Sequence, residues 1–206
     1  MKVLILINKV GLGDCIIHLN YIHEISKKYE KPVSILAKEN TRAKDLFQDD
    51  PHIKEVITLD RLEDETGSHD GLNGFIKLIK DIKEKKFDKV FIFNSSIRYF
   101  LVCKFAGIKK IAQYPLFKKK GQHVVNTAKI FTENEIGKIV STQPKLFVNR
   151  DKILKAKKNM SLNNKCIVLG ISASGPTKRW EIKNFIKLSE KINRKFPSKF
   201  YLAAGK

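Results

Sequence analysis

The sequence predicts an α/β fold with a Rossmann-like, mainly parallel sheet, followed by the start of a second unit of the same kind. Three observations lead there. Short β-branched runs alternate with stretches of helical apolar spacing, the pattern of βαβ units. A glycine-bearing loop separates the first such run from the first helix, where α/β proteins bind ligands. With 206 residues, 42% hydrophobic composition and 13 Phe, the chain is longer than one typical domain and apolar enough for a real core.

Taken in order, the strands are expected at Lys2 to Ile7, Val33 to Ala37, Glu55 to Leu59, Lys89 to Phe93 and Lys109 to Gln113. Asp14 to Tyr29 reads as a helix with Ile16, Ile17, Leu19, Ile22 and Ile25 on its apolar side, and Thr41 to Phe47 as a shorter one. Phe75 to Ile82 and Ile97 to Ala106 supply two more, the latter with Ser95 or Ser96 as cap. Residues 61–74, with Glu63, Asp64, Glu65, Gly67, Ser68, Asp70 and Gly71, have the composition of an exposed loop; the carboxylates lack a D-x-D spacing, so a solvated loop is favoured over a metal site. Residues 1–150 therefore form a first unit, and the lysine-rich 151–164 a helix and connector. The second unit, 165–206, is expected to hold a strand at Cys166 to Ile171, a polar loop at Ser172 to Lys178, a helix at Trp180 to Phe196 and a strand at Lys199 to Ala204. Two strands and one helix leave apolar surface bare, so this unit is expected to be incomplete.

The net charge of +20 comes from 35 Lys against only 6 Arg, spread along the chain. Arg is the better reader of bases and phosphates, so this balance argues against sequence-specific nucleic-acid binding and leaves attraction to anionic lipid or phosphorylated ligands. Cys15, Cys103 and Cys166 are too far apart in sequence for a zinc motif or a disulfide framework, which predicts a reduced, cytoplasmic setting. No apolar run approaches the ~20 residues of a membrane span, so membrane contact is expected to be peripheral.

Two loops carry the candidate chemistry. In Asn8-Lys9-Val10-Gly11-Leu12-Gly13-Asp14, Gly11 and Gly13 are expected to let the backbone turn tightly and approach a ligand, with Asp14 at the helix start. Spacing alone leaves Asp14 as helix cap or as catalytic carboxylate. A dinucleotide fingerprint would need a third glycine where Ile16 stands. The second loop runs from Gly170 to Trp180 and carries Ser172, Ser174, Gly175, Thr177, Lys178 and Arg179, a set suited to holding a phosphate through N–H groups, hydroxyls and an ammonium. Its glycine spacing is not that of a Walker A loop. Trp180 reads as a packing anchor.

With both loops in view, the chain resembles glycosyltransferase family 9, the heptosyltransferases. The resemblance rests on the strand followed by Gly13-Asp14 and an amphipathic helix, on Lys178-Arg179-Trp180-Glu181 after a Ser-Ala-Ser loop, and on Phe185 in the next helix. Phe87-Asp88-Lys89-Val90 and Ala106-Gly107-Ile108-Lys109-Lys110 before the fourth and fifth strands extend it along the chain. It implies a GT-B fold, with an acceptor unit followed by a nucleotide-sugar unit. It further implies an inverting enzyme that moves a heptose or related sugar from an ADP-sugar donor to a lipid-linked, anionic lipopolysaccharide core acceptor at the inner face of the membrane. Asp14 then corresponds to the general base, Lys178 to the family's loop lysine and Ser172 or Ser174 to its hydroxyl residues, which stabilise charge developing on the ADP leaving group with no metal required; Gly11, Gly13 and Thr177 are expected to be substrate-binding. The family's remaining donor-binding residues are expected beyond Lys206, so the 206-residue product is expected to be inactive by itself. Arg98 and Lys118 to Lys120 are either a solvated positive face or contacts to the anionic acceptor.

Two other readings compete. A nucleotide-binding oxidoreductase is disfavoured by Ile16 and by the lack of an acidic residue near Ala37 apart from Glu39. A basic module binding nucleic acid or membrane would reveal itself by steep salt dependence.

Overall fold

The computed structural model describes residues 1–8, 11–62, 64, 66–115, 123–160, 165–173 and 175–204. The chain divides into two units, Met1–Phe147 and Val148–Lys206.

The first unit is a doubly wound α/β layer structure. Strands β1 (Val3–Ile7), β2 (Val33–Lys38), β3 (Ile53–Leu59), β4 (Lys89–Ile92) and β5 (Lys110–Gln113) form one sheet in the order β3-β2-β1-β4-β5. Every described pairing is parallel. β1 is apolar at every position because both its faces are covered: Val3, Ile5 and Ile7 join one core, Leu4 and Leu6 the other. Helices α1 (Leu12–Lys28) and α5 (Val124–Ile136) supply residues to the first core. Helices α3 (Gly71–Lys85) and α4 (Ile97–Phe105) close the second through Leu78, Ile82, Tyr99, Val102 and Cys103. Fully buried Leu or Ile side chains contribute roughly 1.5–3 kcal/mol each, so these two cores dominate the unit's stability.

Local structure departs from the sequence reading in four places. Helix α5 was not expected; its stripe includes the buried Thr127 and Thr132, and only Gly137, left-handed at φ 70°, marks its end. The stretch Thr41 to Phe47 is not one helix: a 3-10 turn at Glu39–Thr41 and helix α2 (Ala43–Phe47) are separated by Arg42, left-handed at φ 53°. Ser96 does stand at the N-cap of α4, but its hydroxyl makes no capping bond. Asp14 lies inside the first turn of α1, whose N-cap is Gly11.

The second unit has helix α6 (Arg150–Asn159), strands β6 (Lys165–Gly170) and β7 (Ser198–Ala203) paired in parallel, and helix α7 (Ile182–Lys195). Asn149 caps α6 by accepting the Asp151 N–H at 2.8 Å, and no residue of α6 is buried. Phe185, Leu188 and Ile192 line one side of α7 and are half-buried, whereas Val168 and Leu202 on the strands remain exposed.

Candidate functional site

In the order β3-β2-β1-β4-β5 the chain winds outward in both directions from β1 and β4, so the loops after these two strands flank the topological switch point. The loop after β1 carries Gly11, Gly13 and Asp14. Gly11 is extended (φ −135°, ψ 155°), and neither it nor Gly13 is left-handed, so a tight glycine turn is not what this loop uses. The reason lies in space instead. A Cβ on Gly11 would stand 3.2 Å from Asp14 Oδ2, because the carboxylate folds back over the N-cap; a Cβ on Gly13 meets nothing within 4 Å. Gly13 thus leaves the approach to the first turn open.

Asp14 is half-buried. Its place in the first turn sets its charge against the unpaired N–H groups of the helix start. Among the described residues nothing hydrogen-bonds the Asp14 carboxylate. Its backbone, in contrast, is held firmly. The Asp14 N–H donates to Gly11 O at 3.1 Å, and Asp14 O accepts from Nδ1 of the buried His18 at 2.6 Å. His18 packs edge-on against Phe93 at the end of β4, with centroids 5.0 Å apart. Tyr21, one turn on, donates to Val125 O of α5 at 2.9 Å. Beneath the aspartate, the buried Cys15 thiol is pushed up in pKa chiefly by burial, with the Asp14 charge adding and a Thr41 hydrogen bond opposing.

The loop after β4, Asn94 to Ser96, is a part of the site that sequence reading passed over. Asn94 Oδ1 accepts the Ser96 N–H at 2.8 Å, and Gln113 Nε2 donates to the carbonyls of Asn94 and Ser96 at 3.1 and 2.9 Å. Asn94 Nδ2 is buried and, among the described residues, has no acceptor. An unsatisfied buried donor costs about 1–3 kcal/mol, so this amide is a place where a ligand oxygen gains more than an ordinary hydrogen bond. A signal was present: Asn94 follows a buried apolar strand just as Asn8 does, and Phe93 N–H donates to Leu6 O at 3.0 Å, continuing the β1–β4 ladder towards both asparagines.

After β3, the described part of the 61–74 loop is exposed at Leu62, Asp64, Thr66, Ser68 and Gly71 to Asn73, as expected, but it turns His69 and Asp70 inward. The Asp70 side chain is 1% exposed and accepts from Arg61 Nε at 2.7 Å and from the N–H groups of Leu62 and Gly67 at 3.0 and 3.1 Å. Burial works to raise its pKa, but these donors outweigh it and hold the carboxyl below the usual carboxylate value. His69, also buried, accepts the Asp60 N–H at Nδ1 (3.0 Å) and donates from Nε2 to Asp81 (3.0 Å). Arg98 donates to the carbonyls of His69 and Gly71 at 2.9 and 3.0 Å, so it ties α4 to this loop rather than forming a solvated positive face. Among the described residues no three His, Cys, Asp or Glu side chains gather as metal ligands. Glu63, Glu65 and Lys118 to Lys120 lie outside the described residues.

In the second unit the β6–α7 loop occupies the corresponding position, between the carboxyl end of a strand and a helix start. Ile171 N–H donates to Ala203 O, extending the ladder, and a 3-10 turn at Pro176–Lys178 is closed by Lys178 N–H to Gly175 O at 3.1 Å. Arg179 Nε donates to Ala173 O at 3.1 Å, so its guanidinium folds the loop together. Ser172, Thr177 and Lys178 are exposed on this loop, and among the described residues the Lys178 ammonium has no ion-pair partner. Ser174 lies outside the described residues. Trp180 stacks edge-on with Phe185 at 4.9 Å, the packing role expected of it, while remaining half exposed.

No family profile and no curated protein matches the chain. Among solved structures it is similar to E. coli ADP-heptose lipopolysaccharide heptosyltransferase II, with 17% identity and a TM-score of 0.71 over 98% of this chain and 64% of that one. It is also similar to a glycosyltransferase family 9 structure from Veillonella parvula DSM 2008, with 16% identity and a TM-score of 0.73 over 98% of this chain and 62% of that one. A third match is E. coli heptosyltransferase WaaC with ADP-2-deoxy-2-fluoro heptose, with 12% identity and a TM-score of 0.63, covering all of this chain and 70% of that one. The chain thus spans somewhat less than two thirds of the first two. At such identities the likeness is one of fold: the chain has an α/β fold of the GT-B type, and the resemblance to family 9 read from its motifs holds at that level.

Proposed function

We propose that the chain carries the acceptor unit and the first part of the donor unit of an inverting, metal-independent glycosyltransferase of the heptosyltransferase kind. In this reading it takes a heptose or related sugar from an ADP-linked donor and passes it to an anionic, lipid-linked sugar of a lipopolysaccharide core. The observation that carries the reading is the Asp14 carboxylate. It is half-buried, placed at the carboxyl end of β1, without a hydrogen-bond donor among the described residues, and mounted on a backbone fixed by His18 and Phe93. A helix cap would have its oxygens engaged by backbone N–H groups. A general base needs them available.

The chemistry follows from that placement. An acceptor hydroxyl attacks the anomeric carbon of the donor sugar; the new C–O bond forms as the bond to the ADP phosphate oxygen breaks, and configuration inverts. The hydroxyl proton passes to Asp14 as the oxygen's acidity rises along the reaction. Asn94 Nδ2 offers a hydrogen bond to an acceptor-sugar oxygen. Negative charge left on the diphosphate is met by Lys178, Ser172, Ser174 and Thr177 in place of a metal ion. The test on the donor side is calorimetric titration with ADP. Affinity is expected to be unaffected by EDTA and to drop on the order of tenfold, about 1.4 kcal/mol, in Lys178→Ala; ADP affinity unmoved by that substitution would remove the β6–α7 loop from the site.

A further inference from the structure

Helices α3 and α4 cover the same face of the sheet through Leu78, Ile82, Val102 and Cys103, so their opposite sides point together into solvent. Those sides should be polar on an ordinary surface layer. They are not. Leu72 and Ile76, one turn apart on α3, are 82% and 51% exposed; Ile97 and Phe105, at the two ends of α4, are 57% and 59% exposed. Phe105 meets Phe75 edge-on at 6.4 Å, bridging the two helices. The apolar side chains begin where α3 and α4 start, at the end of the sheet that holds Asp14 and Asn94.

At the other end of the same two helices the character changes to cationic. A hollow of about 640 Å3 opens there, floored by Phe87 and Ala106 and edged by Lys83, Lys86, Lys109 and Lys110. All four lysines are exposed, and among the described residues none is in an ion pair. Asp88, also at the rim, is engaged by the Lys2 backbone N–H at 2.6 Å. No described helix is long and apolar enough to cross a membrane. Exposed aliphatic and aromatic side chains beside unpaired lysines are the composition of a surface that lies on a bilayer: the apolar groups enter the headgroup boundary while the ammonium groups meet lipid phosphates.

We infer that the outer α3/α4 face is a docking surface for an anionic phospholipid bilayer, with Leu72, Ile76, Ile97 and Phe105 inserting and the lysine-edged hollow taking phosphate headgroups. It deepens the acceptor side of the proposed function and rests on that reading for its purpose, since the face begins at the crevice where a lipid-linked acceptor would be met.

The test is flotation of the chain with vesicles of phosphatidylcholine alone and of phosphatidylcholine mixed with phosphatidylglycerol. Binding is expected to the mixed vesicles only, and to weaken as salt rises. Leu72→Ser with Ile76→Ser, and separately Lys109→Glu with Lys110→Glu, should each reduce partitioning on the order of tenfold. These positions are exposed, so melting temperatures should hold; if one pair unfolds the chain, the other gives the same reading. The exposed, basic α6 is the internal competitor, and Lys155→Glu with Lys157→Glu should leave partitioning unchanged. Absence of binding to mixed vesicles overturns the inference, as does loss through the α6 variant with retention in both α3/α4 variants. So does a dimer, seen by sedimentation, that the Leu72 and Ile76 changes dissolve without any effect on lipid. An ADP titration of the wild-type chain and Lys178→Ala run alongside separates the two claims: vesicle binding together with ADP affinity unmoved by that substitution counts against the transferase reading and leaves the surface standing, whereas ADP affinity lowered by it without vesicle binding does the opposite.

Discussion

Replacing Gly74 by Ala sets two effects of opposite sign against each other. Gly74 lies in the first turns of α3, and by intrinsic propensity Ala is better there by about 0.8–1 kcal/mol. The structure says otherwise: a Cβ at this position would fall 2.2 Å from the His69 carbonyl carbon and 2.6 Å from its Cα. Both are backbone atoms that cannot swing aside. His69 is moreover pinned by Asp60, Asp81 and Arg98. Overpacking of this kind costs about 1–3 kcal/mol, and a rigid neighbour puts the cost at the upper end. Subtracting the propensity gain leaves a net loss of about 2 kcal/mol, or a fall in melting temperature of roughly 4–8 °C for a chain of this size. Thermal unfolding followed by circular dichroism measures it, with amide exchange in residues 67–72 reporting where the fold loosens. Gly13→Ala, with open space around its Cβ, is the control and should not fall with it. A melting temperature that rises in Gly74→Ala would refute the claim that the β3–α3 loop is packed rigidly on the helix start.

Further outcomes follow from buried titrating groups. Burial pushes His52 below its ordinary 6.5, with the neighbouring His23 adding and Asp50 opposing. The unfolded chain therefore binds the extra proton first, and stability present above pH 6.5 should decline as pH falls through and below that value, a decline absent in His52→Gln. Asp70, held below its ordinary 3.8, contributes stability that persists above that pH and is lost only as pH falls beneath it. Burial drives the Cys103 thiol up to about 12 and raises Cys15 as well, so both should resist thiol-specific reagents at pH 8 in the folded chain and react fully in denaturant.

Much of the fold was legible because parallel strands buried on both faces leave short, unbroken apolar runs, as in Val3 to Ile7 and Val90 to Phe93. Helix α5 was missed for a physical reason: Thr127 and Thr132 bury their hydroxyls by bonding the carbonyls of His123 and Ala128, so a core-facing stripe looks polar in sequence. The left-handed Arg42 that splits the 39–47 segment carries no compositional mark, since that conformation favours Gly or Asn. Within the 61–74 loop only the inward turn was hidden, because composition cannot show a carboxylate bonded to N–H groups three and eight residues away, as Asp70 is. At the site, Asp14 was visible through its place between strand and helix. Asn94 was not, because its meaning depends on β4 lying beside β1, and sequence neighbours do not reveal that pairing.

The most direct measurement is turnover by this chain completed to the length of its structural relatives, in wild-type form and as Asp14→Asn, with ADP binding measured on both. Loss of a general base that touches the attacking hydroxyl predicts a fall in rate of roughly 10²–10⁴ with ADP affinity unchanged. Turnover retained in Asp14→Asn would make this carboxylate a helix-start residue and nothing more.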